Sequence, residues 1–330
     1  MKNKVLETIK KYNLIENGDK LVLGVSGGPD SISMLNILNE IKNDKEIQLN
    51  FEIVVAHINH MIRKEAKDDE IYVKKYCEKK HIEFYSKSID VKELANTNKI
   101  GTEEAGRNVR YEFFNEILRK TNSNKIAIAH NKNDNAETII MNILRGTGIS
   151  GLKGIEPKRG VYIRPLIECE REEIENYCEE KKLSPRIDKT NLENEYTRNK
   201  IRNIVIPYIK KEFNSNIINT LKRLSDLVKE EEEYIEKIIL DLYNNIVTEQ
   251  NEKEIILDLK KFNIQEKVIK SRLILYTITR LLGSSQGIEK IHIEDIIKLC
   301  SNNIGNKYLM PNKKIKILVK NHNIYFLSQI

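Results

Sequence analysis

Residues 26–31 have the types and the spacing of a phosphate-binding turn. Their sequence is Ser-Gly-Gly-Pro-Asp-Ser, and they follow the apolar run of residues 20–25. Gly27 and Gly28 allow backbone conformations that other residues rarely adopt, so successive N–H groups can converge on phosphate oxygens. The helix expected to follow adds the partial positive charge of its N-terminus. This pattern favours a nucleotide site, and an unliganded strand-to-helix turn capped by Asp30 is the alternative.

The side chains of this loop favour pyrophosphate over a Walker-type triphosphate site. A Walker A loop needs a Lys-Ser or Lys-Thr pair for the outer phosphates, and residues 26–31 contain none. Ser26 and Ser31 offer hydroxyl groups to phosphate, and Asp30 offers a carboxylate to Mg²⁺. We therefore expect Asp30 to be a metal ligand. The residues expected to bind ATP here are Ser26, Gly27, Gly28, Pro29, Asp30 and Ser31.

A second polar cluster, residues 57–63, contains two histidines and an arginine. Histidines three residues apart, with no carboxylate or thiol beside them, are more typical of hydrogen-bonding residues than of metal ligands. We expect Ala56 and His57 to contact adenine through their backbone.

Arg107 and Arg110 form a third candidate site, because residues three apart share one face of a helix. Paired guanidinium groups can bind the phosphates of a nucleotide or of RNA. The alternative is an ordinary surface face in which Glu103 pairs with Arg107.

Asp134 and Glu137 lie three residues apart at the predicted start of a helix. Two carboxylates on one face near a helix N-terminus can form a pocket for an ammonium group. An aspartate at this position is also an ordinary helix cap, so the pair alone leaves both interpretations open.

Strands and helices alternate in the first part of the chain, and this predicts an α/β fold. Strands separated by helices form a parallel, doubly wound sheet, and such sheets bind ligands at the carboxyl ends of their strands. The polar clusters that begin near residues 26, 57 and 130 each follow a predicted strand, so we expect them to meet at one edge. The predicted strands are residues 21–25, 51–56, 82–85 and 125–129.

Beyond residue 210 the pattern becomes mainly helical. Apolar positions between 217 and 242 recur every three, four and seven residues, which predicts a long amphipathic helix interrupted by a solvated charge run at 229–233. Two helices and a closing β-hairpin are then predicted, at residues 266–282, 292–300, 313–319 and 324–327. We therefore predict a catalytic domain at 1–210, followed by a helical linker and a small C-terminal domain at 211–330.

Composition sets wide bounds on the class of protein. A chain of 330 residues with 40% hydrophobic content can bury a large core in two domains or more. The net charge of +7 is compatible with a nucleic-acid partner without requiring one. The four cysteines form no Cys-x-x-Cys pair, which indicates reduced, buried thiols. With no apolar stretch of membrane-spanning length and no secretion signal, we expect a cytoplasmic protein without a membrane partner.

The order of these motifs resembles the tRNA(Ile)-lysidine synthases, a family of PP-loop ATP pyrophosphatases. The shared motifs are Ser-Gly-Gly-x-Asp-Ser, His-x-Asn-His-x-x-Arg, Glu-Glu-Ala-x-Arg-x-x-Arg-Tyr and Ala-His-x-x-x-Asp-x-Ala-Glu-Thr, which begin at residues 26, 57, 103 and 129. The resemblance continues through residues 144–152, 164–166, 188–191 and 196–202. One departure stands at 130–135, where His-Asn-Lys-Asn-Asp-Asn replaces the family's common His-His-x-Asp-Asp-Gln.

The resemblance implies an ATP- and Mg²⁺-dependent ligase that joins free L-lysine to C2 of the wobble cytidine in the CAU anticodon of tRNA(Ile). ATP would adenylate the C2 oxygen and release pyrophosphate, and the lysine amine would then displace AMP to give lysidine. Asp134 and Glu137 would recognise lysine. The implied catalytic residues are Asp30, Arg110, His130, Asp134 and Glu137, and the implied contacts to tRNA or phosphate are Arg107, Arg145, Arg198 and Arg202.

Several alternatives stay open beside this interpretation. A tRNA thiolase of the same superfamily would carry catalytic cysteine pairs, and NAD or GMP synthetases share the loop without the tRNA-side motifs. A tRNA-binding protein with impaired catalysis is suggested by Asn131 and Asn133. The C-terminal region resembles an accessory domain that positions tRNA, and homodimer formation is left open.

Overall fold

The computed structural model describes residues 1–61, 66–186, 196–302 and 307–329. The motif at 188–191 and Arg63 therefore lie outside the described residues. The chain divides into two compact units, Met1–Val228 and Lys229–Ile330. This division falls inside a helix, 18 residues beyond the predicted domain boundary at 210.

A six-stranded sheet forms the centre of the first unit, in the order β3-β2-β1-β4-β6-β5. All neighbouring strands are parallel except β5 and β6. The α/β class and the four predicted strands are confirmed, because the predicted segments overlap β1 to β4. The strands are β1 (Asp19–Gly24), β2 (Phe51–Asn59), β3 (Glu83–Ser88), β4 (Lys125–Ile128), β5 (Lys158–Arg159) and β6 (Tyr162–Ile163).

Helices cover both faces of this sheet. Leu21 and Leu23 of β1 belong to one apolar cluster, and Val22 between them belongs to another, with Phe113 and Phe114. Alternate residues of a strand point to opposite faces, so a strand buried on both faces has a continuous apolar sequence. The helices of this unit include α1 (Lys2–Lys11), α2 (Pro29–Lys42), α3 (Ala66–Lys80), α4 (Val91–Asn98), α5 (Thr102–Lys120), α6 (Lys132–Leu144), α7 (Arg171–Glu180), α8 (Thr197–Lys200) and α9 (Ile206–Glu212).

The second unit contains a five-stranded antiparallel sheet in the order β7-β8-β11-β10-β9. The predicted closing hairpin is confirmed as β10 and β11, but the other three strands were not predicted. The edge strand β7 is mostly polar, and the edge strand β9 contains Pro311, which suits an edge position, so neither has the pattern of a central buried strand. The elements are β7 (Val247–Gln250), β8 (Glu254–Asp258), β9 (Lys307–Asn312), β10 (Ile315–Lys320), β11 (Asn323–Ser328), α11 (Leu259–Asn263), α12 (Lys267–Leu282) and α13 (Lys290–Ser301).

The long amphipathic helix is confirmed as α10 (Ile217–Ile246), but it runs without a break through the charge run. The expectation that this run is a fully solvated face is wrong at Glu232, which is 2% exposed and accepts a hydrogen bond of 2.8 Å from Arg272. Glu232 lies three and seven residues before Ile235 and Ile239, and therefore on the buried stripe of the helix.

Two features of composition have a structural counterpart. All four cysteines are free and buried, as predicted. Within the described ranges, no helix has the length and the apolar character needed to cross a membrane.

Glu168 supplies a pH-dependent part of the stability of the first unit. It accepts a hydrogen bond of 2.5 Å from the Tyr12 hydroxyl, and the Lys222 ammonium lies 2.9 Å away. Burial acts to raise the pKa of Glu168, but these two partners outweigh it and lower the pKa to about 2. A carboxylate with a lowered pKa stabilises the fold above its unfolded-state pKa, and this stabilisation disappears as the pH falls toward the folded-state value.

We expect Glu168→Gln to lower the free energy of unfolding at pH 7 by about 2 to 3 kcal/mol. The loss should shrink between pH 4.5 and pH 2, because the wild-type carboxyl becomes protonated there. Urea denaturation at pH 7 and pH 3 measures both values, with the exposed Glu180→Gln as the control. An equal loss at the two pH values would contradict this electrostatic origin.

Candidate functional site

The polar clusters that follow β1, β2 and β4 line one cleft of about 930 Å³. The sequence-predicted residues that line it are Ser26, Gly28, Pro29, Asp30, Ser31, Ala56, His57, Arg110, His130 and Arg202. Gly27 belongs to the same loop, and Asp134, Glu137 and Arg198 contact the lining residue Arg202 or its partners. Arg107 and Arg145 are exposed and lie outside the cleft lining. The structure therefore brings together the predicted nucleotide and reaction-centre residues but not these two arginines.

The phosphate-binding turn is held in shape by Ser31. Its hydroxyl accepts hydrogen bonds from the backbone N–H groups of Ser26 and Gly27 at 3.2 and 3.1 Å, and donates one to the carbonyl of Gly28 at 3.0 Å. Gly27 has a φ of +94°, which a residue with a side chain would adopt only under strain. Ser31 is buried and its hydroxyl is engaged in hydrogen bonds within the loop, whereas Ser26 is exposed in the cleft. Of the two hydroxyls, that of Ser26 is the one positioned for a ligand.

Asp30 does not act as a helix cap. The N-cap of α2 is Gly28, with no side-chain capping bond, and Asp30 lies in the first turn. Burial, followed by the charge of Asp134, raises the pKa of Asp30 to about 6. The carboxylate thus carries negative charge that the surrounding protein only partly compensates, which is a condition for binding a cation.

Asn131 joins the phosphate loop to the start of α6. Its side-chain oxygen accepts a hydrogen bond from the Asp134 N–H at 2.9 Å, and the Asp134 carboxylate accepts one from the Asn131 N–H at 3.0 Å. The side-chain NH₂ group of Asn131 donates to the Asp30 carboxylate at 3.0 Å. An asparagine has both the acceptor and the donor that this position needs. The departure from the family pattern therefore has a structural role. The Asn-x-x-Asp spacing of a capping box was the signal available in the sequence.

Asp134 and Glu137 are paired with the arginines at the end of the catalytic motif series. Glu137 accepts hydrogen bonds from Arg202 Nε at 2.6 Å and from Arg198 Nε at 2.9 Å, and Asp134 accepts one from Arg202 Nη2 at 3.0 Å. Glu137 is 1% exposed. The two carboxylates, which we expected to form an open ammonium pocket, are thus neutralised by two guanidinium groups in this state.

The two arginines belong to a helical segment with an unusual turn. Arg198 lies in α8, and Arg202 lies in the wider π turn Ile201–Val205 that leads into α9. Such turns are rare and occur frequently at functional sites. The charges of Asp134 and Glu137 outweigh the effect of burial and raise the pKa of both arginines, so both are fully charged.

His130 is a neutral imidazole held by Arg164. Burial lowers the pKa of His130 to about 4, and Arg164 Nε donates to His130 Nδ1 at 3.2 Å. With Nδ1 accepting, the proton of the neutral ring is on Nε2, which can donate to a ligand. Arg164 was not assigned a role from the sequence, although it lies in the shared motif at 164–166.

His57 also enters the cleft as a neutral ring. Its Nδ1 lies 2.8 Å from the carbonyl oxygen of Val25 and donates to it, and burial lowers the pKa of His57. Its Nε2 is therefore an acceptor, and it has no partner among the described residues. No group of three or more histidine, cysteine or acidic residues within the described ranges could hold a metal ion.

The cleft contains further charged residues that we did not select from the sequence. Arg171 and Arg186 line it, together with the carboxylates of Glu175 and Glu179. No local motif separates these residues from ordinary surface charges, so only the folded chain identifies them.

Comparison with known proteins gives the family of the chain. Residues 1–209 match a family model described as a PP-loop domain. The tRNA(Ile)-lysidine synthase of Clostridium acetobutylicum is 48% identical over 314 residues, which cover 94% of this chain and 67% of that protein. The tRNA(Ile)-lysidine synthase of Clostridioides difficile is 45% identical over 329 residues, which cover 99% and 70%. The chain thus spans about two thirds of the length of these relatives.

Among solved structures, the chain is similar to the U34-tRNA thiolase NcsA from Methanococcus maripaludis. The TM-score is 0.54 with 22% identity, over 68% of this chain and 78% of the thiolase. This similarity shows a shared fold.

We expect Arg202→Met to lower the free energy of unfolding by about 3 kcal/mol, because it removes a partner of a buried carboxylate. Adding Glu137→Gln should recover much of this loss, since the uncompensated charge is then gone. Urea denaturation of both single variants and of the double variant measures the coupling, with the exposed Arg119→Met as the control. Strictly additive losses would show that the two side chains are not energetically paired.

Proposed function

The chain belongs to the tRNA(Ile)-lysidine synthase family, with a PP-loop domain at residues 1–209, and on this basis we propose that it joins free L-lysine to C2 of the wobble cytidine in the CAU anticodon of tRNA(Ile). The predicted class, an ATP-using ligase that acts on tRNA, is confirmed by these relatives. The observation that carries the residue roles is the single cleft shared by the phosphate loop, Arg110, His130 and Arg202.

The first proposed step is adenylation of the cytidine. The C2 oxygen attacks the α-phosphorus of ATP, the bond to the bridging oxygen breaks, and pyrophosphate leaves. The N-terminus of α2 and the adjoining Gly28 bind the phosphates, and Gly27 shapes the turn, because its N–H already donates to Ser31. Ser26 adds a hydroxyl donor, and Arg110 supplies a positive charge from α5. No protein nucleophile is needed, because positioning and charge stabilisation carry this step.

Mg²⁺ fits the loop through Asp30. Mg²⁺ sites of this kind use one or two carboxylates together with substrate phosphates, and Asp30 is a poorly compensated carboxylate at the start of α2. Bound there, the ion would neutralise phosphate charge. Asn131 orients the Asp30 carboxylate through its 3.0 Å hydrogen bond.

The second proposed step is attack by lysine, with release of AMP. The attacking amine, with a reference pKa of about 10.4, must first lose a proton. We propose that Asp134 and Glu137 take up the other ammonium group of lysine in exchange for a guanidinium. This exchange replaces one cation by another, so it leaves the charge of the buried pair balanced. The displaced Arg198 or Arg202 is then available to a phosphate.

The His130 imidazole is proposed to donate from Nε2 to a negatively charged oxygen of the reacting groups. Its position is fixed by Arg164, and its neutral state leaves no second positive charge beside Arg164. The exposed Arg107 and Arg145 are proposed to contact tRNA phosphates outside the cleft. Residues 211–330 are proposed to help position the tRNA.

The proposed reaction is tested by incubating the protein with ATP, Mg²⁺, L-lysine and a CAU-anticodon tRNA(Ile) transcript. We expect nucleoside mass spectrometry to detect lysidine only when ATP and lysine are both present, because one activates the base and the other attacks it. Asp30→Asn is the matched inactive variant. Intact cytidine, with folded protein and bound tRNA, would favour the binding-only alternative.

We expect Glu137→Gln to raise the KM for lysine at least about tenfold, because a charge-assisted contact to the ammonium is lost. The KM for ATP should change much less, since Glu137 is placed with lysine and not with the phosphate loop. Steady-state kinetics on Glu137→Gln and Asp134→Asn measure both constants. Exposed Glu172→Gln is the control, and circular dichroism verifies the fold. A correctly folded Glu137→Gln protein with an unchanged KM for lysine would remove this role.

A further inference from the structure

Arg171 is a cation in the lining of the cleft. It is the first residue of α7, and its side chain is 26% exposed. Its guanidinium lies 3.9 Å from both Asp134 and Glu137, which is beyond hydrogen-bond distance. In the part of the chain that the structure describes, the guanidinium donates no hydrogen bond. The described residues therefore leave the five N–H donors of Arg171 to a ligand.

The other two arginines beside Asp134 and Glu137 do form hydrogen bonds with these carboxylates. Arg198 and Arg202 bind the carboxylates at distances between 2.6 and 3.3 Å. Two guanidinium groups already balance the two carboxylates. Arg171 is a third positive charge at this place, and it acts on Asp30, the third carboxylate. With Mg²⁺ at Asp30, as proposed above, the charge of Arg171 would be left for an anion bound in the cleft.

The position of Arg171 is fixed relative to the phosphate loop. Its backbone N–H donates to the Asn133 side chain at 3.0 Å, and Asn133 is one residue from the start of α6. Helix α7 also packs on α2, where Asn36 donates to the Tyr177 hydroxyl at 2.7 Å. Because α2 begins in the phosphate loop, these contacts hold the loop and Arg171 in one frame. The charge of Arg171 also acts directly on Asp30.

We propose that Arg171 is a pyrophosphate-binding residue. Its guanidinium binds the outer phosphates of ATP from the α7 side of the cleft and retains the pyrophosphate that adenylation releases. When the α-phosphorus forms its bond to the cytidine oxygen, the electron pair of the broken bond goes to pyrophosphate, and Arg171 stabilises that charge. A planar, permanently charged guanidinium suits two phosphate oxygens at once. This inference rests on the proposed function, because it assumes that ATP is cleaved to AMP and pyrophosphate.

Inorganic pyrophosphate is the probe that tests the inference directly. Its affinity for the full-length protein is measured by isothermal titration calorimetry with Mg²⁺, for the wild type, Arg171→Met and Arg171→Lys. We expect Arg171→Met to weaken binding at least about tenfold. Arg171→Lys should recover part of the loss, because lysine retains the positive charge but cannot bind two oxygens at once as a planar guanidinium does. The exposed Arg119→Met is the control and should bind as the wild type does.

Kinetics and stability separate this role from a structural one. In the lysidine assay we expect Arg171→Met to raise the KM for ATP and the inhibition constant of pyrophosphate, with the KM for lysine within twofold of the wild type. Unchanged pyrophosphate affinity with lowered thermal stability would overturn the proposal, since Arg171 would then only support the acidic pair. Unchanged pyrophosphate affinity with weakened tRNA binding would overturn it in favour of an RNA contact.

The outcomes also distinguish this inference from the proposed function. Arg171-dependent pyrophosphate binding in a protein that forms no lysidine would refute the lysidine reaction and leave the anion site standing. Lysidine formation with pyrophosphate binding that does not depend on Arg171 would refute the inference alone.

Discussion

The buried carboxylates of Asp134 and Glu137 on α6 must be neutralised. The arginines that neutralise them connect the elements at the carboxyl edge of the sheet. Asp134 and Glu137 would be costly in the interior without partners. Their partners, Arg198 and Arg202, come from a helical segment 61 to 68 residues further along the chain. The ion pairs therefore bind this distant segment to the start of α6. Asn131, which caps the start of α6, also donates a hydrogen bond to Asp30 and so connects this helix to the phosphate loop.

This arrangement gives neighbouring charges different tasks. Burial acts to raise the pKa of Asp134, but nearby positive charges, above all that of Arg198, lower it below its usual value. Asp30, joined to it through Asn131, has its pKa raised to about 6 and stays ready for a cation. In the same cleft, burial keeps His130 neutral by lowering its pKa to about 4. A polyanionic nucleotide and a cationic amino acid can thus be handled within one cleft.

The local elements of this site were predictable from the sequence, and the contacts between distant residues were not. Strands β1 to β4 and the clusters after them were predictable, because strand, turn and helix signals are local, and the family prediction is confirmed. The pairing of Asp134 and Glu137 with Arg198 and Arg202 was not predictable, because charges distant in sequence resemble surface charges until the chain folds. The helical period places Glu232 on the buried stripe, but its partner Arg272 is 40 residues further along the chain and was not predictable. Strands β7 and β9 were missed because they form sheet edges, where a mostly polar strand or a strand with a proline is tolerated.

The buried cysteines have a practical consequence for spectroscopy. Burial raises the pKa of Cys77, Cys169 and Cys300 to about 12 and also raises that of Cys178. At neutral pH the thiolate fraction of the first three is on the order of one in 10⁵, and maleimide reagents require the thiolate. A cysteine introduced at an exposed position such as Ser215 would therefore react far faster than any native thiol. Fluorophores or spin labels can be attached at single chosen sites while the wild-type core stays intact.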